Sequence, residues 1–417
     1  MSSAHLPTIP AFLQRRSNDE FVPPPLDERE LAAARTAATL TAANAERLRV
    51  SASEYAESRR GIAAGLLSVN EANGDEYFRV PDVAPLDDEA ADDALGGDQL
   101  VIDVQTHYIA DRPACETSRE LIRTMYPMYG DDWWEGLSKV AALDFVEYLR
   151  CVFLESDTAV AVLSSPPGLS DERMLFNDEM AATRLLLERF GAQDRLLNHA
   201  VVHPGVDGEV GRMPQVVDEL SPAGWKVYTL GATSLSDVGT LEGWYLDDEI
   251  GIAFLEEVRR SGVPLVCAHK GLSGIVPTGS PRDFGPAAKL FPDLSLIAYH
   301  SGFEPGDGTP TEAAHVLGKL LKYVGPDNVL WGTDAIWYGP TQAAVDAFRA
   351  FQIPESMQAA YGYPALTPEV KEKILGLNAA RVYGIDLETA RSNMGSDDVA
   401  WGRAAIEEYK KTGTPHL

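Results

Sequence analysis

Four short apolar runs in this chain each end on a side chain able to bind a metal ion. Leu100-Val-Ile-Asp-Val-Gln-Thr runs into His107, Val263-Pro-Leu-Val-Cys-Ala into His269, Leu294-Ser-Leu-Ile-Ala-Tyr into His300, and Val329-Leu-Trp-Gly-Thr into Asp334. Each run reads as a strand buried on both faces, the pattern of a parallel sheet. Turn signals follow two of the histidines at once, Lys270-Gly271 and Ser301-Gly302. In a parallel α/β barrel the strand C-termini share one face. Three imidazoles and a carboxylate brought there would form a metal site. A strand-end histidine alone is more often a hydrogen-bonded loop residue, but three of the chain's eight histidines fall at this kind of position.

The elements that must position these groups fit a chain of 417 residues, long enough for one barrel and an appendage. The net charge of −28, from 35 basic and 63 acidic residues, makes nucleic acid and anionic membrane poor partners. Cys115, Cys151 and Cys267 have neither metal-type spacing nor an even count, which fits a reducing cytoplasm without a disulfide framework. No apolar run reaches the roughly 18 residues of a membrane span. Ser58-Arg-Arg-Gly61 and the apolar residues after it look like a twin-arginine signal. That segment starts far into the chain and is short, so it reads as an ordinary helix of a cytoplasmic protein.

Residues 1–97 are expected to form a helical arm and acidic linker, 98–388 a barrel, and 389–417 a helical tail. In the arm, Asp27 with Glu30 forms a capping box opening a helix to about Val50, and Ser51 with Glu54 opens a second to about Asn70. The stretch Asp82–Asp98 reads as a linker. From residue 100, strands are expected near 100–107, 158–163, 197–203, 225–230, 263–269, 294–300 and 328–334, with helices most clearly at 171–190, 247–261, 311–324 and 366–380. About 27 residues separate His300 from Asn328, and one helix uses most of them. The expected fold is therefore a TIM (β/α)8-type barrel whose seventh βα unit is distorted or incomplete.

At these residues the chain resembles the amidohydrolase superfamily, in the branch related to metal-dependent aromatic-acid decarboxylases. The resemblance covers about residues 98–388 and ends in Asn378-Ala-Ala-Arg-Val-Tyr-Gly384. It implies a His-x-His pair on the first strand, histidines on the fifth and sixth, and an aspartate on the last. On this chain those ligands fall on Gln105 and His107, His269, His300 and Asp334. Gln105 departs from the pattern, offering a neutral amide oxygen where an imidazole is expected. Zinc takes an amide poorly, and harder metals of higher coordination accept it more readily. Asp103 shares the strand face and is a candidate ligand or orienting group. Glu304, four residues past His300, adds a carboxylate; two divalent ions would need it, because Asp334 alone offsets one positive charge.

Asp103-Val-Gln-Thr-His107, Trp225-Lys-Val-Tyr228, Ser280-Pro-Arg-Asp-Phe-Gly-Pro286 and Trp331-Gly-Thr-Asp-Ala-Ile-Trp-Tyr-Gly339 together resemble an offshoot of the superfamily, a group of barrel-fold non-haem diiron monooxygenases of terpenoid secondary metabolism. That resemblance implies two Fe per chain, dioxygen, an electron donor or reductase, and a lipophilic acid carried as a CoA thioester and hydroxylated at an unactivated C–H bond. The alternative is a hydrolase or decarboxylase using Zn or Mn. A homo-oligomer fits either.

Further residues carry weaker expectations. Lys226, at the end of the fourth strand, is in binuclear relatives a site of carbamylation; otherwise it pairs with a site carboxylate. His203, closing the third strand, is a candidate ligand or substrate contact, whereas His199 reads as structural. Trp337 and Tyr338 follow Asp334 and are placed to wall a substrate pocket or to pack at the rim. Arg282 is a candidate for an anionic substrate group, with a salt bridge to Asp283 or a helix end as the alternative.

Overall fold

Capping chemistry lays out the first hundred residues. The computed structural model describes residues 8–13, 26–116, 143–166, 173–231, 242–271, 273, 276–300, 309–337 and 340–412. The Asp27 carboxylate accepts from the Glu30 amide and the Glu30 carboxylate from the Asp27 amide, both at 2.8 Å. They open α1 (Glu28–Leu48), which stops where Arg49 turns left-handed at φ 61°. Ser51 and Glu54 repeat the device for α2 (Ala52–Glu57). The second helix does not run on to Asn70 as expected. Ser58 is extended there, and its hydroxyl accepts from the Gly61 amide to start α3 (Arg59–Asn73). Glycine is required at 61, since a Cβ would lie 2.0 Å from the Tyr55 carbonyl oxygen.

The expected linker is also partly helical: Asp87 caps α4 (Asp88–Leu95). The paired arginines at the start of α3 are held by ion pairs, Arg59 to Asp92 at 2.9 Å and Arg60 to Asp88 at 3.0 Å. Ile62, Leu66, Ala91 and Leu95 pack with Ala350, which ties these helices to the C-terminal half. No described helix is long and apolar enough to cross a membrane.

Six parallel strands pair in sequence order: β1 (Val101–Thr106), β2 (Thr158–Leu163), β3 (Leu196–Val201), β4 (Gly224–Tyr228), β5 (Leu265–His269) and β6 (Ser295–Tyr299). Helices alternate with them: α5 (Phe145–Leu149), α6 (Asn177–Arg189), α7 (Met213–Leu220), α8 (Glu249–Ser261), α9 (Phe284–Leu290) and α10 (Pro310–Tyr323). After them come α11 (Gln342–Ala350), α12 (Glu355–Tyr361), α13 (Pro368–Glu372), α14 (Asn378–Tyr383), α15 (Leu387–Ser396) and α16 (Asp398–Thr412). Every residue of β1 and β2 is buried, as their continuous apolar runs require.

The sheet is curled. Edge strands of a flat six-stranded sheet would stand about 24 Å apart at 4.8 Å per strand. Here the Tyr299 hydroxyl at the end of β6 donates to the Val104 carbonyl of β1, and Gln105 meets His300 at 3.0 Å. The strand expected at 328–334 is an extended segment instead. The Val104 amide donates to the Trp331 carbonyl and the His107 amide to that of Ala335, with one parallel bridge, Thr106 to Ala335. Among the described residues no ladder strand follows β6, so the complete eight-stranded barrel is absent there and a curled parallel half-barrel stands in its place.

Alternation sorts the side chains. Trp225, Val227, Val266, Ala268 and Leu296 share one outer cluster under the helices. Lys226 and Tyr228, Cys267 and His269, and Tyr299 point to the other face. Cys115, Cys151 and Cys267 are all buried free thiols.

Candidate metal centre

β1 supplies three groups with two-residue spacing, and each has a defined partner. The buried Asp103 carboxylate accepts from the Thr333 hydroxyl, from the Thr333 amide at 3.0 Å and from the Gln105 amide at 3.2 Å. It thereby clamps the segment carrying Asp334 onto β1. Burial pushes its carboxyl up to about 7, against those hydrogen bonds. Asp103 thus acts on the cluster as an orienting group.

His107 is buried, and its Nδ1–H donates to the Ser164 carbonyl at 2.8 Å. That leaves Nε2 to face Asp334 Oδ1 at 3.1 Å. Gln105 joins the other half: its amide nitrogen donates to Asp334 Oδ1 at 2.7 Å and lies 3.0 Å from His300 Nε2. The His300 and His269 rings are 4.4 Å apart, and Tyr228 stacks on His269 at 5.0 Å. Both imidazoles are held neutral: burial pulls His300 down to about 4 and His269 well below its ordinary value, with the Lys226 charge adding to each. His300 and Asp334 have left-handed backbones at φ 61° and 55°. Non-glycine residues adopt that conformation at a cost of about 1–2 kcal/mol.

The donors run in a chain, His107–Asp334–Gln105–His300, rather than around one centre. Among the described residues no three His, Cys, Asp or Glu side chains are gathered as a ready metal cage. Their chemistry nonetheless fits a divalent ion. With its hydrogen on Nδ1, His107 turns the Nε2 lone pair towards a carboxylate oxygen at 3.1 Å. Two electron-rich atoms at that separation call for a proton or a cation between them. Neighbouring ligands at 2.0–2.1 Å from a tetrahedral metal stand roughly 3.3 Å apart. A carbonyl acceptor on the second nitrogen is the usual support of a ligating histidine. A half-turn of the Gln105 amide would present Oε1 in place of nitrogen. His107, His269, His300, Asp334 and Gln105 could therefore hold one.

Other candidates lie elsewhere or in different company. The Lys226 ammonium stands over the Tyr299 ring at 3.9 Å and the Tyr228 ring at 4.9 Å, fully buried inside the sheet's curl rather than at the strand end. β3 ends at Val201, two residues sooner than expected, and His203 lies beyond it. Its Nδ1 accepts from Arg173 at 3.1 Å and stands 3.7 Å from Glu209. His199 is internal, with Nε2 2.9 Å from the Tyr383 hydroxyl. Trp337 is buried against His107, ring centroids 6.2 Å apart. Arg282 is exposed and lies over the Tyr245 ring at 4.2 Å. The alternative salt bridge to Asp283 is not formed, because Asp283 pairs with Lys270 at 2.8 Å, both side chains fully buried. Glu304 and Tyr338 lie outside the described residues.

Three supports escaped the sequence reading. The Ser164 carbonyl carries no side-chain signal. Tyr228 stands two residues after Lys226 on one strand face, a spacing that could have marked it. Lys270 directly follows His269 and read as a turn, yet its ammonium also donates to the Thr278 carbonyl at 3.0 Å and anchors the end of β5.

Against known proteins, the amidohydrolase family model (Amidohydro_2) matches residues 304–385, less than half of the chain. That stretch contains Asp334 and the closing Asn378–Gly384. No curated protein is matched. Among solved structures, an amidohydrolase from Mycobacterium avium subsp. paratuberculosis K-10 superposes with a TM-score of 0.39 at 14% identity, over 69% of this chain and 100% of that one.

Proposed function

We propose that the chain is a metal-dependent enzyme of the amidohydrolase kind, a hydrolase or decarboxylase of a small-molecule substrate. The observation that carries this reading is the approach of His107, His269, His300 and Asp334 at the C-terminal ends of β1, β5 and β6 and on the segment beside β1. The match over residues 304–385 supports it. These four, with Gln105, are the groups that hold the ion, Zn or Mn in this reading. Bound there, a divalent metal supplies Lewis acidity to a carbonyl or carboxylate.

The chain's own groups do the rest. Asp103 and the Ser164 carbonyl fix the direction of Asp334 and His107. Asp334 is the carboxylate placed to accept a proton and return it. Tyr228 and Trp337 cover the His269 and His107 rings and keep water from their flanks. Lys226 holds positive charge beneath the neutral imidazoles.

A second reading, a diiron monooxygenase of a lipophilic, CoA-linked acid, is favoured by Gln105, whose amide suits a mixed nitrogen and oxygen site. It requires dioxygen, an electron donor and a further carboxylate, for which Glu304 is the candidate. Oxygen uptake separates the two. The hydrolase or decarboxylase reading predicts turnover of carboxylate or acyl substrates under anaerobic conditions. Turnover that stops without oxygen, together with two irons per chain, would replace it with the second.

A further inference from the structure

An open cavity of about 530 Å³ lies between the N-terminal helices and the C-terminal half of the chain. Arg79 and Asp93 line it from one side, Arg349 and Lys371 from the other. Arg349 donates to the Gln99 side chain and the Gly97 carbonyl ahead of β1 and pairs with Asp157 ahead of β2. The cavity therefore sits towards the N-terminal ends of the strands, opposite the candidate metal centre.

Three cations face one carboxylate there, in a chain of net charge −28. Arg349 is already neutralised, by Asp157 at 2.8 Å and Asp346 at 3.4 Å. Arg79 and Lys371 are not: among the described residues neither has a carboxylate within 4.0 Å, and Asp93 pairs with neither. Their partners are uncharged. Arg79 donates to the Gln352 amide oxygen at 3.0 Å, and Lys371 to the Arg349 carbonyl. Burial, then the charge of Arg79, pulls the Lys371 ammonium down to about 8. Two unneutralised cations thus share a cavity of the size that holds small ligands.

We propose that this cavity binds a small dianion, a phosphate- or pyrophosphate-bearing metabolite, and that the ligand clasps the N-terminal helices to the barrel. The Arg79 fork gives two parallel N–H donors and Lys371 a point charge, the pair of devices that suits phosphate oxygens. A monocarboxylate would offset one charge and leave the other facing it. Leu366 and Pro368 on the wall offer apolar surface to the organic part.

The test is calorimetric titration and thermal denaturation of the full chain with pyrophosphate, inorganic phosphate and acetate at equal ionic strength and pH 7. Pyrophosphate or phosphate should bind and raise the melting temperature, and acetate should do neither. Arg79→Gln and Lys371→Gln should each weaken binding at least about tenfold. Arg79 is exposed, so Arg79→Gln leaves the fold intact and decides the matter if Lys371→Gln does not fold. Affinity should fall as pH rises through 8, where Lys371 loses its proton, and that loss should vanish in Lys371→Gln. Equal responses to acetate and the phosphates, no binding at all, or unchanged affinity in Arg79→Gln would each overturn the proposal. Its failure would leave the metal centre untouched, since the two share no residue.

Discussion

The Arg349–Asp157 network at one end of the sheet and the histidine cluster at the other treat buried polar groups differently. At the N-terminal end, charges meet counter-charges: Asp157 takes Arg349 at 2.8 Å and Arg403 at 3.0 Å, while Gln342 bridges Asp157 and Asp346. At the C-terminal end Lys270 pairs with Asp283 in the same way, but beside that pair three imidazoles and an amide run in a chain with Asp334, and Asp103 lies behind them. Two of those residues sit in left-handed backbone. A paired network ties elements together, and removing one member exposes its partner. A crowd of imidazoles around Asp334, with Asp103 behind it holding the Asp334 segment to β1, suits something that supplies positive charge. The contrast teaches which cluster to read as structural and which as a binding site.

Substitutions break that contrast in graded ways. The largest effect is expected for His269→Ala. Groups that merely support a ligating side chain are worth about 10- to 100-fold in metal affinity, so losing a ligand itself should cost about 1,000-fold or more and abolish turnover. Equilibrium metal titration checks it, and full affinity would remove His269 from the centre. Arg349→Met at the other end should act on stability instead. It takes a paired arginine from both Asp157 and Asp346, of which Asp346, 1% exposed, keeps Arg59 at 3.4 Å, at a cost of about 3 kcal/mol. Denaturant unfolding measures that cost, and the folded fraction should keep its metal.

Gln105→His sharpens the reading of the amide. It should raise preference for zinc by about tenfold over iron or manganese, an imidazole being the better zinc ligand; competition titration reads the ratio. Glu304→Gln separates one metal from two. In the hydrolase reading stoichiometry stays at one, and in the diiron reading it falls from two towards one.

The last effect is a pH slope, read per pH unit. His199 is buried and held down to about 3, by burial first and then by the Lys226 charge. Its folded pKa lies below the unfolded value of about 6.5, so the unfolded chain takes up the proton first as pH falls. The contribution is therefore complete above pH 6.5 and is lost progressively towards pH 3, at about 1.4 kcal/mol per pH unit. His199→Gln should flatten the acid limb of a stability-against-pH curve by that amount.

Much of the fold was legible because buried parallel strands are continuous apolar runs, and β1, β2, β5 and β6 fall where those runs lie. The expected strand at 328–334 was not, because two backbone bonds to β1 hold it and Gly332 lies tight on Gln105, where a Cβ would stand 3.3 Å from the Gln105 Cβ. Side-chain direction was legible wherever the strand reached the residue. His269 and Gln105 point where alternation sends them. His203 does not answer to that rule, since its strand stops at Val201. The surroundings of Lys226 were hidden for another reason: Tyr299, over which it sits, comes from a strand some seventy residues on, and only the curl brings them together. Lys270 and Asp283 are hidden likewise, a buried pair closing across a loop.

The central claim is that the strand-end cluster holds a metal ion. Equilibrium dialysis of wild type and His300→Ala against zinc, manganese and ferrous iron, with circular dichroism to confirm equal folding, tests it most directly. The account predicts tight uptake of at least one equivalent of one of these ions by the wild type and its loss in the variant. Equal uptake by both folded chains, or none by the wild type, would contradict it.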